Sequence, residues 1–227
     1  MIPRPSNPIV VALDVSDLGR AEELADTLQG EVGLFKVGLE LFTAVGADAV
    51  ARVRERGPVF LDLKLHDIPT TVERAARNCA RLGVAILTVH ALGGEAMIAA
   101  AVRGAAVGAE EAGFAAPTIA AVTVLSSEGG ESLASPASLA FEAMAAGATG
   151  AVVSGADVSV VRHVVGDVFG LIVPGIRPAG SNGHDQVRVL TPQEAVEAGA
   201  DYLVIGRPIT GSSDPAGTAR AILASVR

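Results

Sequence analysis

Four ionisable residues interrupt apolar runs early in the chain. Asp14 lies in IVVALDV, Lys36 in LFKVGL, and Asp62 and Lys64 two apart in VFLDLKL. Side chains alternate across a β-strand, so Asp62 and Lys64 share one face while Leu61, Leu63 and Leu65 take the other. The leucines require an apolar wall, which leaves the charges facing the opposite side. The same parity carries Asp14 and Lys36 there. If the three runs are neighbouring strands, about 4.8 Å apart, two lysines and two aspartates converge in one small space. Buried ion pairs are weak stabilisers because desolvation opposes their attraction, so four charges at strand ends point to function rather than support. An ammonium group held this way can stabilise negative charge developing on a carbon atom and deliver a proton to it.

The elements that must position these groups recur along the whole chain. Short β-branched runs begin at Ile9, Leu34, Val59, Ala85, Thr118, Gly150, Gly170 and Tyr202, each bounded by Gly, Pro, Asp or Ser. They read as buried parallel strands. Between them lie helical segments such as LGRAEELADTLQG, TTVERAARNCARLG and TPQEAVEAGA, several ending in the Gly expected just beyond a helix C-terminus. Eight strands, each with a following helix and no interior linker, predict an α/β fold. It is a (β/α)8 TIM barrel forming a single domain over residues 1–227, with 1–8 as an N-terminal extension. The competing open doubly wound sheet calls for a Gly-rich dinucleotide turn after strand one. Asp14-Val15-Ser16-Asp17 stands there instead.

Composition agrees with the barrel and narrows the partners. Of 227 residues, 50% are hydrophobic but only 3% aromatic, so Ala, Val, Leu and Ile must fill the interior. The net charge of −8, with no long run of Lys or Arg, speaks against nucleic acid and anionic membranes as partners. A single cysteine, Cys79, rules out an internal disulfide, fits a reducing cytoplasm, and reads as a small buried helix residue. MIPRPSNP lacks the apolar stretch of a signal peptide, and no run of about 18 apolar residues occurs. A soluble, cytoplasmic protein is expected.

The third run continues as Asp62-Leu63-Lys64-Leu65-His66-Asp67-Ile68-Pro69-Thr70-Thr71. This D-x-K-x-x-D-I-P-x-T segment resembles the signature of orotidine 5′-monophosphate decarboxylases. So do VALD around Asp14, FKVGLELF around Lys36, VTVLSS before Glu128, PGIRP from Pro174 and DYLVIGRPIT from Asp201. The resemblance implies a carboxy-lyase that converts orotidine 5′-monophosphate to uridine 5′-monophosphate in pyrimidine biosynthesis, without metal or cofactor. It implies that Lys64, Asp62, Asp67 and Lys36 are catalytic and that the whole stretch from Asp62 to Thr71 lines the substrate. Lys64 would protonate C6 as CO2 departs, and Asp62 would disfavour the charged ground state and hold Lys64. Lys36 and Asp14 would bind ribose hydroxyls, and Ser126 the pyrimidine. A homodimer is implied too, with Asp67, Ile68 and Thr71 reaching the neighbouring subunit's site. Thr70 stands where Asn is common in the family and Ser126 where Thr is common; both keep a hydrogen-bonding group.

The phosphate end is also readable. After the seventh run come Pro174-Gly175-Ile176-Arg177-Pro178 and a long polar stretch, Ala179 to Val187, whose Gly180 and Gly183 suit a mobile lid. Gly206-Arg207 follows the eighth run. Barrels often bind phosphate in the loops after strands seven and eight. By the resemblance, Arg177, Gln186, Gly206 and Arg207 hold the 5′-phosphate. His66, His90, His163 and His184 form no metal-ligand pair at helical spacing. Two other readings stay open. One is a metal-dependent barrel enzyme acting on a sugar phosphate, such as a keto-gulonate phosphate decarboxylase or hexulose phosphate synthase, which shares D-x-K-x-x-D. The other is an inert barrel that senses nucleotides.

Overall fold

The structure is a computed structural model that describes residues 5–124, 134–178 and 190–226. Its strands are β1 (Ile9–Ala12), β2 (Leu34–Gly38), β3 (Val59–Leu65), β4 (Ile86–His90), β5 (Thr118–Val122), β6 (Gly150–Val152), β7 (Gly170–Val173) and β8 (Tyr202–Ile205). Each falls within one of the eight apolar runs. They pair in chain order and in parallel, and β8 closes on β1. The expected barrel is therefore the observed fold.

Alternation along the strands divides the apolar residues into two cores. Val10, Ala12, Leu34, Phe60, Ile86, Ala120, Val122, Val152, Ile172 and Val204 fill the barrel. Their sequence neighbours, such as Val11, Leu61, Leu87 and Leu203, face the helices. Both faces are dry, which is why the strands carry almost no alternation of polarity.

The helices are α1 (Leu18–Leu28), α2 (Leu39–Val45), α3 (Ala47–Arg54), α4 (Pro69–Ala80), α5 (Gly94–Ala112), α6 (Pro136–Ala145), α7 (Val158–Val165), α8 (Pro192–Glu197), α9 (Arg207–Thr210) and α10 (Pro215–Ser225). Every strand is followed by a helix before the next strand or the end of the described residues, the stretches after β5 and β7 being only partly described, and β2 and β8 are each followed by two α-helices. The tightest helix contact joins α4 to α5. A Cβ at Gly104 or Gly108 would come within 2.1 Å of the Glu73 or Arg77 carbonyl oxygen, so no larger residue fits there. The span Ala91–Ala112 is long and apolar enough to cross a membrane. Here it serves as a wall helix, burying Met97, Ile98, Ala101, Ala105 and Ala109 against the barrel.

Two details depart from the regular pattern. Asn7 and Pro8, expected in the N-terminal extension, are tied to the barrel's lower rim. Asn7 Nδ2 donates to the Glu31 carbonyl (2.9 Å), and Pro8 accepts from the Leu203 N–H (2.8 Å). The second departure is in β3. Leu61 pairs with Leu87 but Leu65 with Val89, so three residues of β3 stand opposite one residue of β4.

Candidate active site

The irregular end of β3 lies at the C-terminal mouth of the barrel, where enzymes of this fold carry their chemistry. Register places Ala12 beside Lys36, Lys36 beside Phe60, and Gly38 beside Asp62. Ala12 and Phe60 belong to the interior core, so Lys36 points inward as parity predicts, and it is 8% exposed. Its Nζ donates to Asp14 Oδ1 at 2.8 Å and lies 3.9 Å from Asp62 Oδ2. Lys64 Nζ is 2.9 Å from both oxygens of Asp62. The structure thus brings all four charged residues into one chain of alternating sign: Asp14, Lys36, Asp62, Lys64. Asp14 is the outermost, with its side chain half exposed.

Regular pleating does not deliver this arrangement unaided. Lys64 has φ +51°, and among the described residues it is the one non-glycine with positive φ. A side chain in that region costs about 1–2 kcal/mol, so other contacts must hold it. Two are visible. Its ammonium grips Asp62, and its backbone N–H donates to Thr88 Oγ1 at 2.8 Å. The same hydroxyl donates to Asp62 Oδ1 at 3.0 Å. Thr88 is fully buried and is the single β4 residue opposite the three-residue bulge.

Room for the Lys36–Asp14 pair comes from Gly38. A Cβ there would meet Lys36 Nζ at 2.8 Å and Asp14 Oδ1 at 3.2 Å. Sequence reasoning did not single out Thr88 or Gly38. The signal for Thr88 was a hydroxyl within the apolar run AILTVHA. The signal for Gly38 was a glycine two residues after Lys36, on the same face.

The rest of the Asp62–Thr71 segment surrounds the mouth. Leu63 and Leu65 pack against the core between strands and helices, so any part they take in binding falls to their backbone. The His66 and His90 rings stack at 5.0 Å and 25°. Asp67 is exposed; its Oδ1 accepts from the Ile68 N–H (2.7 Å), and it makes no ion pair with the other four among the described residues. Ile68 is 66% exposed, Pro69 opens α4, and Thr70 and Thr71 are exposed in its first turn.

After β7, where the sequence leads us to expect the phosphate, the Arg177 N–H donates to the Leu190 carbonyl (3.1 Å), joining the two edges of the long β7–α8 connection. Gly206 caps α9 and Arg207 is exposed as its first residue, both just beyond the C-terminal end of β8. Ser126, Gln186, Gly180 and Gly183 lie outside the described residues. No group of three or more His, Cys, Asp or Glu suited to a metal ion occurs among the described residues.

Comparison with known proteins adds an independent line. A family model described as orotidine 5′-phosphate decarboxylase / HUMPS family matches residues 7–222. Two proteins named orotidine 5′-phosphate decarboxylase are similar over nearly their full length. That of Moorella thermoacetica is 49% identical, covering 96% of this chain and 91% of its own. That of Anaeromyxobacter sp. strain K is 50% identical, covering 98% and 100%. The crystal structure of orotidine 5′-phosphate decarboxylase from Lactobacillus acidophilus superimposes with a TM-score of 0.85 at 36% identity, covering 98% of this chain and 100% of that one.

Proposed function

The chain belongs to the orotidine 5′-phosphate decarboxylase / HUMPS family, and from that premise we propose that it converts orotidine 5′-monophosphate to uridine 5′-monophosphate and CO2, with Lys64 protonating C6. The observation that carries this reading is the chain of alternating charge ending in Lys64, held between Asp62 and Thr88.

The chemistry follows from the groups present. The bond between C6 and its carboxylate breaks, CO2 leaves, and the electron pair stays on C6. That pair lies in the plane of the ring and cannot delocalise into its π-system. A fixed positive charge at that carbon is then the strongest available stabiliser, because its attraction grows as the carbanion forms. Lys64 supplies the charge, gives its proton to C6, and recovers one from water. Asp62, on the side of the departing carboxylate, disfavours the anionic ground state and keeps the Lys64 ammonium aimed. Lys36 balances Asp62 and, with Asp14, takes ribose hydroxyls. A preorganised charge array of this kind suits a reaction in the upper part of the roughly 10⁶ to 10¹⁷ range of enzymatic accelerations.

The remaining assignments complete the site. Arg207, Gly206, Arg177 and Gln186 hold the 5′-phosphate, and Ser126 bonds the pyrimidine. Exposed Asp67, Ile68 and Thr71 reach the site of a second subunit in a homodimer. Residues 1–227 act as one catalytic unit, working in the cytoplasm in pyrimidine biosynthesis without metal or cofactor.

The test is to follow loss of orotidine 5′-monophosphate absorbance with purified protein in the presence of a chelator. Turnover that ignores the chelator is expected. Absent turnover overturns the reading and favours the sugar-phosphate enzyme of the same family, whereas turnover abolished by the chelator overturns the metal-free mechanism. Mixing inactive Asp67→Ala and Lys64→Ala proteins should restore some activity through one intact site per mixed dimer. No recovery despite subunit exchange removes the shared-site claim.

A further inference from the structure

The bulge in β3 leaves a gap in the ladder where the two most important side chains emerge. Between the pairs Leu61–Leu87 and Leu65–Val89, the residues Asp62, Leu63 and Lys64 face Thr88 alone. A broken ladder leaves backbone groups without their strand partner, and a buried N–H without a partner is costly. The Thr88 hydroxyl fills this gap twice over. Its lone pair accepts the Lys64 N–H at 2.8 Å, and its single proton goes to Asp62 Oδ1 at 3.0 Å. A hydroxyl has one hydrogen and two acceptor positions, so this assignment of donor and acceptor satisfies both bonds.

We propose that Thr88 is a positioning residue for the reaction: its buried hydroxyl sets the left-handed backbone of Lys64 and the rotation of the Asp62 carboxylate together, and so aims the ammonium group between them. The inference rests on Lys64 being the proton donor. Three observations point the same way. Lys64 has φ +51°, which a lysine does not hold without restraint. Thr88 is fully buried on β4, whose Ile86 two residues earlier belongs to the interior core, so its side chain also faces into the barrel. Each partner of the hydroxyl is itself bonded to the other, since Lys64 Nζ contacts both oxygens of Asp62. The result is a closed ring: hydroxyl, carboxylate, ammonium, and the lysine's own backbone returning to the hydroxyl.

Removing the hydroxyl while keeping shape should loosen that ring without disturbing substrate binding, which lies mostly elsewhere. Thr88→Val, similar in volume and as well suited to a strand, is expected to lower kcat by about 10-fold or more. The dissociation constant of uridine 5′-monophosphate should stay near that of the wild type, while the Tm falls by a few degrees because the buried Lys64 N–H loses its acceptor. Thr88→Ser, which keeps the hydroxyl, should recover most of the loss. A Thr88→Val protein with kcat near wild type overturns the proposal, as does a Thr88→Ser protein as slow as Thr88→Val. Should Thr88→Val fail to fold, amide exchange in the wild-type protein decides. A Lys64 N–H protected like the ladder amides of β3 supports the clamp, and one exchanging at loop rates refutes it. Lys64→Ala, measured alongside, separates the two levels. If it still turns over, the proton-donor reading fails. If it is inactive while Thr88→Val is fast, only the role of Thr88 falls.

Discussion

Both ends of this barrel hold an aspartate against a cation, and the two sites differ in every respect that matters for chemistry. At the N-terminal end, Arg162 of α7 meets Asp201, just before β8, at 2.5 Å. The guanidinium also donates to the carbonyls of Gly199, Phe169 and Gly166, and Asp201 Oδ2 accepts the Leu171 N–H at 2.8 Å. Cation and anion are saturated with fixed partners, in the fork geometry that suits Arg. At the C-terminal end the cations are lysines, which act as point charges on flexible stems. Lys36 sits 3.9 Å from Asp62 without bonding it, Lys64 is backbone-strained, and Asp14 is half open to solvent. The lower pair fastens α7, β7 and β8; the upper array keeps its charges available to a guest. Saturation separates the structural ion pair from the array to which the proposed function assigns the chemistry.

That contrast is open to attack at both ends. The largest effect belongs to Lys64→Ala, which on the proposed mechanism removes the developing-charge stabiliser and the proton donor together. We expect kcat to fall by at least about 10⁴-fold in a protein whose circular dichroism and Tm match the wild type. Substantial residual turnover would show that the upper array is not what drives the reaction. Asp201→Ala should do the reverse. It leaves the Arg162 cation uncompensated, and breaking a buried pair costs about 3–5 kcal/mol, read as a drop in the urea midpoint, while kcat per folded molecule holds. If activity falls and stability does not, the division between the two ends is wrong. Gly38→Ala tests the geometry of the upper array more gently. The added methyl would crowd Lys36 Nζ and Asp14 Oδ1, and a misplacement near 1 Å in a catalytic array costs about 10- to 100-fold. We expect that loss in kcat/KM, with normal folding.

Much of the upper site was legible because the barrel's strands are dry on both faces, so a charge in an apolar run stands out. Asp14, Lys36, Asp62 and Lys64 emerged from parity alone, and the structure brings them together. The parity argument nevertheless assumed a regular pleat over Asp62–Lys64, where the strand in fact bulges. It survived because Phe60 and Leu61 fix the faces before the bulge begins. Thr88 stayed hidden because threonine is an ordinary strand residue, and its importance comes from a gap in the neighbouring strand that local pattern does not encode. Arg162 and Asp201 were hidden for another reason. They are 39 residues apart, and nothing in their spacing marks them as partners. The binding assignments for Ser126 and Gln186 rested on resemblance, and both residues lie outside the described part of the chain.

A third charge cluster supplies the weakest and most instructive test. On the outer surface, Glu111 at the end of α5 accepts from Arg77 and Arg81 of the α4 side, clasping the two helices from outside. The Arg77 hydrogen bond, with lesser help from Arg81, holds the Glu111 carboxyl below the ordinary glutamate value of 4.5. A carboxylate whose pKa is depressed by folding adds stability that is complete above its unfolded pKa and disappears as pH falls through its folded one. Glu111→Gln should therefore lower the Tm slightly at pH 7, and the two proteins should converge as the pH drops below about 4.5. Because the clasp is exposed to water, added salt should narrow the gap at pH 7. The Asp201→Ala deficit should survive the same salt, since its ion pair is shielded from solvent. A Glu111→Gln deficit as large and as salt-resistant as that of Asp201→Ala would mean that saturation by fixed partners, and not burial, decides what an ion pair contributes in this barrel.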